Sequence, residues 1–518
     1  MAEAVAPPVR PPLKTWPRRG RVFVGKAIAF VRHGIDQLGP PRVALALAIG
    51  LFVVVFGRLV VLRHERFGTF DFDLGIYDQA VWLLANGHGF DTVRGLGVFG
   101  NHVNLAFYLL VPFYWLGAGP NFLNLVMVGA VGAAAIPVFR LGRIWLRDDW
   151  HAVVPALAFL LHFTSQWMVQ ETFHAEVVAL FPFFMAYLAA TESRWRAYAL
   201  WMAFAVSWKE DIALAALVVG IVLIVRGHRS GDRSARRAGL WTVAASLGWF
   251  LLCTRLIIPA FSPGGVFYED FFGPLGDSPW ALADTAVTNP TAITRQLERA
   301  NAVGYLRDLL APYGFTPLLA PAVLLIGMPQ ALVNLLSGNG FTWSLRFHYA
   351  AMPLAGATLA MVEGIGRRTS RSVRRFLLGL VAACALATTA AWGISPISTH
   401  YREGFWPLTP IERQDELERA VNTPPDDASV SATYLLVPHL THRRNIYSFP
   451  NPWLAQNWGV ANENQHDPAD VDWLVIDRLS LSPELDELLQ EILDTEDWVI
   501  VEAQDDLLVA HRRGAPTR

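Results

Sequence analysis

Seven stretches of this chain, residues 43–62, 121–139, 151–168, 177–192, 239–257, 346–365 and 376–394, are almost uninterrupted apolar sequence. A helix needs about 20 such residues to cross the hydrocarbon core of a bilayer. So many runs of that length point to a bundle of membrane-spanning helices. Two shorter runs, 195–208 and 211–226, are separated by the charged triplet Lys209-Glu210-Asp211 and read as two further spans joined by a polar turn at the interface. Composition agrees: only 17% of residues are charged, where soluble domains carry about 25%. A net charge of −2 gives no global basic signal for nucleic acid. Cys253 and Cys384 both lie inside apolar runs, which favours core packing over a disulfide framework.

Orientation follows from Lys and Arg in short loops, which favour the cytoplasm. Residues 1–42 carry eight basic side chains against two acidic ones and lack the small-residue cleavage site of a signal peptide. Arg140, Arg143 and Arg147 form the next basic cluster, then Arg194 and Arg196, then two denser groups around Arg226–Arg237 and Arg367–Arg375. Placing all of these inside forbids a span at "NHVNLAFYLLVPFYWLGAG", residues 101–119, which holds Pro112 in its middle. Residues 103–116 are therefore expected to lie along the outer interface, anchored by Tyr108, Tyr114 and Trp115. The same parity turns 305–337, broken by Pro312, Gly314, Pro317, Pro321 and Pro329, into a hairpin, either re-entrant or of two short spans. After residue 396 helical and strand patterns alternate, as in a small α/β domain. The expected protein is thus a polytopic α-helical membrane protein of the bacterial cytoplasmic membrane with about nine clear spans plus the Pro-broken hairpin, nine to eleven in all. Residues 1–42 form a cytoplasmic tail and 43–395 the transmembrane domain with an external loop over 63–120. Residues 396–518 form an extracytoplasmic α/β domain.

This topology gathers ionisable residues on the outer face: Asp71, Asp73 and Asp78 with His102 in the first loop, then Glu171, His174 and Glu176 in "QETFHAE". Lys209, Glu210, Asp211 and Arg346 complete the set. Charges at membrane depth are costly, so they face a cavity or one another and mark functional sites. Each has a plainer reading: solvated loop acids for the Asp trio, a helix start for His174 and Glu176, a self-neutralised turn for Lys209–Asp211, a snorkelling anchor for Arg346. Convergence on one face favours function over these. His-x-Glu offers two metal ligands, but no nearby third donor completes a known spacing, so no metal is assigned. No cofactor is assigned either; a divalent cation has no support in the spacing. Phosphate-binding glycine loops, Ser-His-Asp order and HExxH are all missing, which leaves nucleotide-driven chemistry without support.

The segments "FDLGIYDQAVW", "NHVNLAFYLLVPFYWL", "FHAE", "WKEDIAL", "PQALVNLLS" and "VDWLVID" together resemble the bacterial membrane proteins grouped as domain of unknown function 2079. That family is similar in layout to type C glycosyltransferases (GT-C). The resemblance implies a polyprenyl-phosphate sugar as donor, a glycan, lipid or protein acceptor outside the membrane, and a catalytic carboxylate in the first external loop. By position that carboxylate is Asp73 or Asp78. The common Asp-Glu pair is replaced here by Asp78-Gln79, and the Asp71-x-Asp73 spacing, similar to the paired acids of mannosyltransferases, favours Asp73.

The chemistry fits. Displacing a lipid phosphate from an anomeric carbon requires a base for the acceptor hydroxyl and cationic stabilisation of the leaving phosphate. Lys209 and Arg346 are the expected cations, with His102 and His174 as further donors. Two rival readings stand beside this one. A lipid or solute transporter would need charges at mid-span and commonly shows a duplicated half; neither is visible. A non-catalytic assembly protein of the cell envelope is compatible with the sequence.

Overall fold

The computed structural model describes residues 39–276, 278–455, 466–495, 497–504 and 506–517, so the expected cytoplasmic tail lies almost wholly outside the described residues. Among the described residues five helices are long and apolar enough to cross a membrane: Pro40–Glu65, Pro120–Leu146, Ile212–Ser230, Arg233–Phe261 and Arg371–Trp392. A sixth span is made by Asp149–Leu161 and Phe163–Gln170 together, bent by 44°. The bend falls at His162, whose ring accepts from the Thr164 amide at 3.2 Å, while the Ser165 hydroxyl donates to the Phe159 carbonyl at 2.7 Å. Side chains thus satisfy the backbone groups that the kink frees.

Fewer helices span than the apolar runs suggested. The run 195–208 becomes Trp195–Val206, of 12 residues, and the run 346–365 becomes Ala351–Gly366, of 16 residues. At 1.5 Å per residue both fall short of the ~30 Å hydrocarbon core. Ala351–Ile365 is buried throughout, so it is a central helix walled by other helices, and its apolarity reflects burial in protein. The stretch 305–337 breaks at its prolines into short turns and helices, ending in Met328–Leu336. Between Ile212–Ser230 and Arg233–Leu252, Gly220 and Gly239 face each other so closely that a Cβ on Gly239 would meet the Gly220 carbonyl at 2.5 Å. Small residues of this kind let two apolar helices approach backbone to backbone.

Residues 103–116 form a 3-10 turn, Leu105–Leu109, and a single helical turn, Val111–Tyr114, neither long enough to span. Tyr108 and Trp115 are exposed, as an interfacial anchor requires, but Tyr114 turns inward and is buried.

The C-terminal part carries a mixed five-stranded sheet. In chain order after the two-residue hairpin strands β1 (Phe90–Asp91) and β2 (Leu96–Gly97), its strands are β3 (Val430–Ala432), β4 (Ile446–Ser448), β5 (Trp473–Asp477), β6 (Trp498–Gln504) and β7 (Leu507–Arg512). The spatial order is β4-β3-β5-β7-β6. β3 runs parallel to β4 and β5, and β7 antiparallel to β5 and β6. This domain does not hang free. Phe67, Ile76 and Val93 of the early loop share a buried cluster with Leu417, Val430, Val437, Trp473 and Val509. At the edge of β4 the Thr92 hydroxyl donates to the Ile446 carbonyl at 2.7 Å and accepts from the Ile446 amide at 2.9 Å.

Candidate functional site

The segment Asp71–Gly75 leaves the first helix as one wide turn and continues into the helix Ile76–Ala85. The three acids of the first loop point to three environments. Asp71 is buried; its amide donates to the Tyr434 carbonyl at 3.0 Å. Burial raises its carboxyl to about 6, against the opposing bond from Ser448. Asp78 is fully buried and saturated: it accepts from Tyr114 and Thr441 hydroxyls at 2.5 Å each, with His442 Nε2 at 3.2 Å. Asp73 alone keeps access, with 16% of its side chain exposed, and its Oδ1 lies 3.2 Å from His174 Nε2.

Around Asp73 the cluster continues through residues far apart in the chain. His174 precedes the helix that begins at Ala175 and Glu176 lies just inside it, so the two are not confined to one helical face. His348 bridges them. Its ring stacks on His174 with centroids 3.6 Å apart, its Nδ1 lies 3.0 Å from Glu171 Oε1 and its Nε2 3.7 Å from Glu176 Oε1. The His348 amide donates to Glu171 Oε2 at 2.6 Å. Lys209 Nζ donates to Glu176 at 2.6 Å and lies 3.5 Å from Asp211. Beside it, Glu210 accepts from the Val103 amide at 3.0 Å and pairs with His102 Nδ1 at 2.8 Å.

Two physical features hold this arrangement. Thr172, between Glu171 and His174, has φ 100, a region that a β-branched residue occupies only under strain of about 1–3 kcal/mol. Its carbonyl accepts from His174 Nδ1 at 3.1 Å, which directs Nε2 toward Asp73. The charges then push the carboxyls apart. Burial works against ionisation of Asp73, but the charge and hydrogen bond of His174 together with the charge of His348 hold Asp73 below the usual range. Burial raises Glu171 to about 8, with His174 opposing. Burial also opposes the charge on His174, yet Asp73 and Glu171 raise it to about 9. An ionised carboxylate and a proton-holding one within a single cluster form the usual pattern of acid–base sites.

Of the residues expected from sequence, Asp73, Glu171, His174, Glu176, Lys209 and Asp211 meet here, with Glu210 and His102 adjoining. Asp73 takes His174 as its partner, and Lys209 pairs with Glu176. Asp71 and Asp78 belong to the contact with the C-terminal domain. Arg346 also departs from expectation: it is exposed, with its guanidinium 4.7 Å from the centre of the Trp167 ring. Two members were missed. His348 stands two residues after Arg346 in the same "RFHY" segment, and only the fold shows which of the two turns inward. Arg63, at the end of the first helix, donates to the Gln170 carbonyl and lies near enough to Glu171 and Asp73 to feel their charge. Its position in the last turn before the Asp loop was the available signal. The metal question also changes, because Glu171, His174 and His348 each place a ligand atom within 4.8 Å of the others.

An apolar helical bundle, a buried ionisable cluster where its helices end, and a small mixed-sheet domain against that end define a polytopic helical membrane protein. Residues 63–509 match the family described as predicted membrane protein (DUF2079), and the chain belongs to that family. Among solved structures it is similar to ArnT from Cupriavidus metallidurans. The undecaprenyl phosphate-bound form shares 13% identity at a TM-score of 0.51, covering 91% of this chain and 99% of that one. The apo form shares 14% at 0.52, covering 91% and 98%. At such identity the likeness is one of fold. No curated protein matches the chain.

Proposed function

We propose that the protein transfers a sugar from a polyprenyl-phosphate donor to an acceptor on the extracytoplasmic side of the bacterial cytoplasmic membrane, with Asp73 as general base. The observation that carries this reading is the position of Asp73. Of Asp71, Asp73 and Asp78 it is the accessible one, held 3.2 Å from His174 within a buried cluster that also contains Lys209. The fold supports it, being shared with a protein that binds undecaprenyl phosphate. In the proposed step the acceptor oxygen bonds to the anomeric carbon as the bond from that carbon to phosphate oxygen breaks. The hydroxyl proton passes to the Asp73 carboxylate, and the electron pair leaves on polyprenyl phosphate. Lys209 and Arg63 supply positive charge for that phosphate. Lys209 stays close to neutralised by Glu176 until the donor arrives.

The test is Asp73→Asn in the full chain, assayed with labelled polyprenyl-phosphate sugars in membranes. Transfer should fall by about 10²–10⁴-fold, the usual share of a positioned base, at unchanged expression. Undiminished transfer would sink the assignment. Transport of label without bond formation would favour a transporter.

A further inference from the structure

The three donors Glu171, His174 and His348 are buried and come from two segments separated by more than 170 residues of sequence. We propose that they bind a divalent metal ion of the zinc class, leaving its fourth position to water or a substrate oxygen. This inference rests on the same cluster as the proposed transferase reading but on no step of its reaction.

The partners of each ring assign the ligand atoms. His174 Nδ1 donates to the Thr172 carbonyl at 3.1 Å, so Nε2 is the atom left to bind. That Nε2 is buried without a well-aligned hydrogen bond, although Asp73 Oδ1 lies 3.2 Å away. His348 turns Nε2 toward Glu176 at 3.7 Å and Nδ1 toward Glu171 at 3.0 Å, so Nδ1 binds beside the Glu171 carboxylate. His174 thus has an outer acceptor on its other nitrogen, the arrangement that orients metal-bound histidines, and His348 Nε2 faces the Glu176 carboxylate at longer range. Two histidines, one glutamate and one open position make up a common zinc set. Mixed nitrogen and oxygen donors also suit zinc better than calcium or magnesium.

The distances are short of coordination but close to it. Ligand atoms on a tetrahedral ion with bonds of about 2.0–2.1 Å stand about 3.4 Å apart. The present triangle, no wider than 4.8 Å, closes to that size by small side-chain rotations. Glu176 Oε2, buried and without a hydrogen-bond partner among the described residues, adds negative charge beside the triangle. Asp73 adds more, and a dication would balance both.

The test uses the full chain purified in detergent, stripped with EDTA, reloaded with zinc and desalted. Elemental analysis should find about one zinc per chain, and His348→Asn or Glu171→Gln should lower that at least about tenfold. Zinc-edge X-ray absorption on the wild type should show two imidazoles in the first shell, a readout that stands even if the variants fail to fold. Content below about 0.1 per chain, a shell without imidazole, or folded variants that retain zinc would overturn the proposal. None of these readouts involves a sugar donor. A protein that holds zinc and transfers nothing keeps this inference and loses the other.

Discussion

The Asp78 carboxylate accepts a hydrogen bond from the Thr441 hydroxyl at 2.5 Å, although 363 residues separate the two. Tyr114 closes on the same carboxylate from the helical turn Val111–Tyr114. One acid therefore ties together the helix Ile76–Ala85, the turn Val111–Tyr114 and the C-terminal domain. Asp78→Ala strands two buried hydroxyls, at about 1–3 kcal/mol for each one left unsatisfied. Limited proteolysis should then cut the chain faster around residues 396–445. Asp73→Asn should leave that cleavage rate at the wild-type value. Identical protease patterns for both variants would show that the two acids are not divided in this way.

Lys209→Met should be costly because it leaves Glu176 buried beside a lost partner. Breaking a buried ion pair from one side costs about 3–5 kcal/mol. Adding Glu176→Gln should return most of that loss, since the remaining charge disappears with it. A double-mutant cycle by chemical denaturation measures the coupling. Strictly additive costs would mean that the 2.6 Å contact contributes nothing.

Thr172→Gly should separate stability from function. Glycine accepts φ 100 without a side-chain clash, so the strain of about 1–3 kcal/mol is released, less the added entropy of the unfolded chain. The expected net effect is a gain of about 1 kcal/mol in unfolding free energy. Glu171 and His174 should meanwhile be held less firmly, and zinc retention should weaken. A destabilised variant would show that Thr172 is not strained.

These expectations rest on a site that sequence reading found only in part. Charges are rare in apolar sequence, so Glu171, His174, Glu176 and Lys209 stand out, and membrane parity alone sets them beside the Asp loop. Parity does not resolve single side chains. Asp78 resembles Asp73 in sequence, yet its role depends on Thr441 and His442, which no local pattern connects to it. Arg346 and His348 sit two apart, and the backbone turn over 344–348 decides which enters the cluster. The span count failed for a related reason. An apolar run buried on all sides by protein, such as Ala351–Ile365, reads the same as one that faces lipid.

Asp91 gives a pH prediction. Burial raises its carboxyl to about 7, despite the bond from the Arg94 amide at 3.1 Å. In the unfolded chain an aspartate titrates near 3.9, so between those values the native state binds the extra proton. Stability is then fully present below about 4 and declines as pH rises toward about 7, levelling off above. Asp91→Asn keeps the acceptor and removes the titration. Its melting temperature should vary less than that of the wild type between about pH 5 and pH 7.5. Parallel curves would remove Asp91 from the account.

The Thr92 hydroxyl at the rim of β4 has a further effect. A sheet edge with open amide and carbonyl groups is a template for another strand, and here part of that edge is occupied by a loop made some 350 residues earlier. The C-terminal domain is therefore not a module that can be excised and studied in solution. Expressed alone it would bare both this rim and the apolar seat left by Phe67, Ile76 and Val93, and it should aggregate. During synthesis the same dependence runs the other way. The loop that carries Asp73 and Asp78 leaves the ribosome early but is completed only when the last quarter of the chain arrives to close over it.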